Sequence, residues 1–141
     1  MPPKDPYRNF NFLVEIDGIQ QAGFTECTGF GADNAPIEYR EGGDNLTVRK
    51  LPGLTKYPNI VLKWGITDSQ DLYNWFRDIT RGKVERKNVS IVLRDIDGSE
   101  KIRWNAVLCW PTKWDGPDFN AKGTDVAIET LELAHEGVER A

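Results

Sequence analysis

One histidine, His135, and two cysteines, Cys27 and Cys109, are the whole supply of imidazole and thiol in this chain. One His and two isolated Cys do not build a structural zinc site. No nucleophile motif such as G-x-S-x-G stands beside His135 to suggest a triad. The cysteines lie far apart in sequence with no second pair of ligands, so they read as buried, reduced thiols. Glycine-rich phosphate cradles are missing too. Gly29-Phe30-Gly31 lacks the third glycine of the dinucleotide fingerprint, and Gly82-Lys83 is followed by Val84. Asp95-Ile96-Asp97-Gly98 opens like a calcium loop, but Glu100 and Ala106 occupy the positions that need Gly and Glu. Asn45-Leu46-Thr47 and Asn88-Val89-Ser90 match the glycosylation sequon by chance. Nothing selects a working pair among the 22 acidic residues. No metal, no cofactor and no catalysis are expected.

Long apolar runs are absent, so no membrane anchor is expected. The opening Met1-Pro2-Pro3-Lys4-Asp5-Pro6 has no apolar stretch of the secretory kind, which points to synthesis in the cytoplasm without a signal peptide. Positive charge is not in excess either. With 18 basic and 22 acidic residues the net charge is −4, which disfavours nucleic acid as a specific partner.

What the chain does have is the composition of a globular protein, 39% hydrophobic and 28% charged over 141 residues. That suits a single domain over 1–141, with the Pro-rich residues 1–8 as a flexible N-terminal arm. All five tryptophans fall between Trp64 and Trp114. Such a cluster fits an interface-rich protein, and a large barrel core accounts for it equally well.

Alternation dominates the chain. Phe10, Phe12, Val14 and Ile16 predict a half-buried strand, and Asp17-Gly18 predicts a hairpin returning over Ile19 to Thr28. Ile37 and Tyr39 alternate with Glu38 and Arg40, and Ile60, Leu62, Trp64 and Ile66 mark another strand. Val89, Ile91 and Leu93 lead through Asp97-Gly98 to Ile102, Trp104, Ala106, Leu108 and Trp110. Residues 111–124 read as the longest connection. A last strand over about 125–136 changes phase between Val126/Ile128 and Leu131/Leu133, as a bulge or a strand bending between two surfaces would cause. Asp68 to Arg81 is the one helix, with Thr67 or Asp68 as cap and Leu72, Trp75, Phe76 and Ile79 as its apolar stripe. Gly82 stands where the helix should end. Seven or eight strands, one helix and no βαβ rhythm predict a mainly β fold: an antiparallel β-barrel of two packed sheets, one flanking α-helix and a long extended loop.

That extended loop, within Glu38–Ile66, has few large apolar residues for its length and needs either the domain or another protein to hold it. Gly42-Gly43 and Pro52-Gly53 read as its turns, and 42–58 as its extended part.

Several segments resemble a known family. They are Tyr7 to Gly18, Glu38 to Asn45, Lys50 to Ile60, Gly65-Ile66-Thr67-Asp68 and Asp125 to Gly137. Together they are similar to the inner-tube proteins of contractile phage tails and of phage-tail-like extracellular contractile injection systems, and more distantly to the haemolysin-coregulated tube proteins of type VI secretion. The resemblance implies a structural, non-catalytic subunit of a homo-hexamer whose rings stack into a tube around a channel, inside a contractile sheath. Its implied partners are the sheath protein, baseplate and spike proteins, and protein cargo in the lumen. Its implied location is a phage-tail-like particle released from the cell. The loop then becomes an inter-ring arm. The expected contact residues are Glu38, Arg40, Glu41, Asp44, Leu46, Val48, Arg49, Lys50, Leu51, Leu54, Lys56 and Tyr57. Two alternatives stay open: a tube initiator joining tube to baseplate, and a small-ligand-binding β-barrel with an apolar internal pocket. A β-sandwich hydrolase is the enzyme-class alternative.

Overall fold

The computed structural model describes residues 12–19, 23–39, 48–119 and 127–141. Within them the chain forms β1 (Phe12–Ile16), β2 (Phe24–Thr28), β3 (Asp33–Tyr39), β4 (Arg49–Lys56), β5 (Ile60–Gly65), α1 (Asp71–Thr80), β6 (Lys87–Arg94), β7 (Glu100–Asp115), β8 (Ile128–Ala134) and β9 (Gly137–Arg140). Every pairing is antiparallel.

The body is one strand path, β1-β6-β7-β8-β5-β2, with β9 beside β7. Its fold-over depends on β7. Residues up to Cys109 pair with β6, while Trp110–Asp115 pair with β8. At the crossing Leu108 takes φ 54, a left-handed conformation that is costly for a branched side chain and bends the strand from one sheet into the other. The two sheets so produced enclose the core. Ile60, Leu62 and Trp64 point inward from β5, with half-buried residues between them. Val14 and Ile16 from β1, Val89 from β6 and Leu131 and Leu133 from β8 complete the same cluster. The expected two packed antiparallel sheets with a flanking helix are therefore present. The path does not close, because β1 and β2 remain its two ends among the described residues.

Helix α1 buries Leu72 and Trp75 against the body. Trp75 donates its indole N–H to the Glu85 carbonyl at 2.7 Å, and Tyr73 sets its ring edge-on to Trp114 at 5.0 Å. The helix starts later than the sequence suggests. Gln70 is its N-cap without a side-chain bond, and Thr67 Oγ1 instead accepts from Ser69 N–H in the preceding turn. Its end follows expectation. Gly82 at φ 86 donates to the Ile79 carbonyl and Lys83 to that of Asp78, the paired bonds of a Schellman ending.

Three strand expectations are corrected. Asp17-Gly18 does turn, but among the described residues the return is a single bridge between Ile16 and Ile19, while 20–22 of the expected strand lie outside them. β2 leaves that hairpin to pair with β5, where Phe24 meets Trp64 edge-on at 5.9 Å. Residues 111–115 belong to β7 and not to a connection; buried Pro111, which has no N–H to donate, sits at a register shift against β8. The expected last strand is β8 alone within the described residues, and a further strand, β9, follows it beyond Glu136. β8 pairs with β5 without interruption, so the change of phase is no bulge in β8: Ile128 simply faces away from Leu131 and Leu133.

Candidate assembly interface

β3 and β4 form a separate two-stranded sheet that no other described strand joins. Every residue of β3 is exposed, and in β4 only Gly53 is not. A lone two-stranded ribbon is marginal in water, because neither face is covered and both edges are unpaired. Its composition explains why it projects. Among its residues the large apolar side chains are Ile37, Tyr39, Leu51 and Leu54, too few for two inward-facing rows.

The register sorts these side chains. Ile37 lies opposite Leu51 and Tyr39 opposite Arg49, which puts them on one face of the outer half. The other face carries Glu38 opposite Lys50 and Pro36 opposite Pro52, so its one charged pair has opposite signs directly across the ladder. On the first face Ile37 remains 55% exposed, Tyr39 45% and Leu51 45%, and Leu54 nearer the base is 80% exposed.

A bulge fixes the middle of the arm. Asn34 pairs with Thr55 and Pro36 with Pro52, so Gly53 and Leu54 together oppose Ala35. Asn34 bridges the break: its Oδ1 accepts from Gly53 N–H at 2.8 Å, and its Nδ2 donates to Thr55 Oγ1 at 3.1 Å. A Cβ on Gly53 would lie 2.0 Å from the Ala35 carbonyl oxygen. Pro52-Gly53 is thus no turn. Glycine is needed there for the close approach of two backbones inside a strand pair.

Of the expected contact residues, Glu38, Arg49, Lys50, Leu51, Leu54 and Lys56 lie on the paired arm, Lys56 opposite Asp33. Val48 immediately precedes β4 and is half-buried. Tyr57 stands at the base, its ring 5.6 Å from that of His135. Arg40, Glu41, Asp44 and Leu46 lie outside the described residues, as does the expected Gly42-Gly43 turn. The paired arm begins upstream of Glu38, at Asp33. Ile37 and Tyr39 were not among the expected contacts, although their alternation with Glu38 already placed them together on one face.

One open groove, of about 830 Å³, lies between the free ends of the strand path and is lined by Phe12, Phe24, Cys27, Ile91, Leu93 and Trp104, among others. Burial pushes the Cys27 thiol up to about 12. Burial also raises Cys109 to about 11, against a partly offsetting hydrogen bond from the Val89 backbone. Neither is a nucleophile near neutral pH. No three of the described His, Cys, Asp and Glu side chains converge on a metal-sized site. No helix among the described residues is long and apolar enough to cross a membrane.

A family model described as "T4-like virus tail tube protein gp19" matches residues 8–139. No curated protein matches the chain by sequence. Among solved structures, the chain is 29% identical to one from the anti-feeding prophage cap, the tube-terminating cap, with a TM-score of 0.89, covering 100% of this chain and 94% of that one. It is 28% identical to a chain of an extracellular contractile injection system, the PVC sheath–tube complex in the extended state, with a TM-score of 0.87, covering 96% and 91%. Hcp1 from Flavobacterium johnsoniae shares the fold at 14% identity, with a TM-score of 0.59 over 93% of this chain and 94% of that one.

Proposed function

Because the chain belongs to the T4-like virus tail tube protein family, we propose that it is the structural subunit of a contractile injection system's inner tube, in which hexameric rings stack through the β3–β4 arm. The tube role follows from the family and from the sheath–tube and tube-cap relatives. The arm supports the stacking contact. It projects with both faces uncovered, and the Ile37–Leu51 pair beside Tyr39 offers apolar surface to a neighbour. Contact between rings is heterologous, since an arm on one ring must meet a different surface on the next; such contacts propagate into an open tube. The charged face, Glu38 and Lys50, fixes register more than affinity. Within a ring, the edges of β1 and β2, which no other described strand pairs, are available to neighbouring subunits.

No catalytic step is assigned. Sheath outside, baseplate and spike at the ends and cargo in the lumen are the partners that this reading brings, and a particle released from the cell is its location. A second reading has its own support: the chain is as similar to the tube-terminating cap as to the tube in the sheath–tube complex, with identities of 29% and 28%. Electron microscopy of assembled particles separates the two. The tube subunit repeats along the whole length, whereas an end component occupies only the terminal ring. Purified protein should also form rings or tubes, and a persistent monomer at high concentration with no rings in particles would overturn both readings.

A further inference from the structure

We propose that His135 is a positioning residue for the arm: it pins the returning leg, Tyr57-Pro58-Asn59, to the corner between β8 and β9 and so sets the direction in which the arm leaves the body. The inference rests on the arm being the stacking device.

The arm needs such a clamp. It shares no strand pairing with the body among the described residues, so its orientation is decided at its base. There the His135 Nε2 lies 2.9 Å from the Pro58 carbonyl oxygen. A carbonyl only accepts, so the ring carries its proton on Nε2 and donates it. Tyr57 packs on the same imidazole at a 52° interplanar angle and also covers Gly137. One residue further, Asn59 Nδ2 donates to Glu132 Oε1 at 2.9 Å. Three consecutive residues of the leg are thus tied to the β8–β9 segment.

The outgoing leg is held at the same level. Gly29, at φ 99, runs so close to the returning leg that a Cβ there would lie 2.1 Å from the Asn59 carbonyl oxygen. Phe30 follows and packs on the core cluster. With both legs fixed, the arm enters a docking event already oriented and gives up less orientational freedom on binding. The corner that holds it is itself anchored, since Glu136 N–H donates to the Val107 carbonyl at 3.1 Å and β9 pairs with β7.

The histidine can be dissected without emptying the site. Its Nδ1 is buried with no protein partner, so His135→Phe keeps a ring under Tyr57 and removes only the donor that Pro58 uses. His135→Gln keeps an N–H donor at a similar reach and loses the ring. Hydrogen exchange is measured on unstacked protein at low concentration, and tube formation is followed by light scattering and negative-stain microscopy. We expect amides 57 and 59–60 to exchange about tenfold faster in His135→Phe, with Gln restoring much of the protection. Stacking should need about tenfold more protein in the Phe variant, with ring formation intact.

Unchanged exchange and unchanged stacking in His135→Phe overturn the proposal. So does a Gln variant no better than Phe, because the hydrogen bond would then have no role. If His135→Phe does not fold, Tyr57→Ala removes the other half of the clamp. It should loosen the same amides, and failure to do so is equally decisive. Leu51→Asp on the outer arm separates the two levels of argument. It should abolish stacking and leave exchange at 57–60 untouched. If Leu51→Asp still stacks normally, the arm reading fails, while the exchange data continue to judge the clamp by themselves.

Discussion

Leu54→Asp tests whether the arm is covered by another subunit. In the isolated chain this side chain is 80% exposed, so its replacement should leave subunit stability within about 0.5 kcal/mol of the parent. If stacking covers it, complete burial of a leucine contributes about 1.5–3 kcal/mol, and the exposed four-fifths accounts for about 1–2.5 kcal/mol of that. An aspartate at the same place adds a desolvation cost of about 1–3 kcal/mol, which brings the loss to about 2–5 kcal/mol, on the order of a hundredfold in affinity per arm. Each subunit of a ring repeats the loss, so ring-on-ring binding should vanish well before ring formation does. The assay pairs thermal unfolding with sedimentation of assembled tubes across a concentration series. An unchanged melting temperature with rings but no tubes is the expected result. Tubes of normal length at the parent's concentration would refute the reasoning, since a surface covered by a neighbour cannot accept a carboxylate without cost.

The other predictions concern the subunit alone. Gly29→Ala combines φ 99 with a Cβ 2.1 Å from the Asn59 carbonyl oxygen, and should cost about 3 kcal/mol or more, read from the denaturant midpoint. Leu108→Val places a stiffer β-branched residue at φ 54 and should destabilise by about 1 kcal/mol, whereas Leu108→Gly, which exchanges strain for chain entropy, should be near neutral. The thiols bear on alkaline stability. Both folded values, about 12 for Cys27 and about 11 for Cys109, lie above the unfolded value near 9, so the folded state retains protons that the unfolded state releases. Stability should fall as pH rises from 9 towards 11, by on the order of 2 kcal/mol per thiol, and a Cys27→Ala variant should fall less steeply. Half-buried Cys27 lines the open groove, whereas Cys109 is fully buried, so thiol reagents at pH 8 should leave Cys109 unmodified until the chain unfolds, and its fast labelling in the native protein would contradict the burial.

The sequence by itself determined the strand-rich architecture, the one helix and the shortage of catalytic groups. Alternation at Ile60, Leu62 and Trp64, and the stripe of Leu72, Trp75 and Phe76, are local patterns, and they fold as their periods require. The turn at Asp97-Gly98 and the helix ending at Gly82 are equally local, because glycine at φ 87 and 86 meets each need within a few residues. Local pattern also exposed the loop within Glu38–Ile66 as a stretch with too few large apolar residues to bury itself. What it could not reveal was long-range. β2 abandons its own hairpin for β5, and Leu108 bends β7 between the sheets, because the burial gained across the body outweighs the nearest-neighbour pairing. Pro52-Gly53 reads as a turn in one dimension and proves to be a bulge in two, since only the paired strand supplies the Ala35 carbonyl that excludes a Cβ. His135 shows the same limit most clearly. Its meeting with Pro58, 77 residues away, is a property of the folded chain, and no spacing in the sequence announces it.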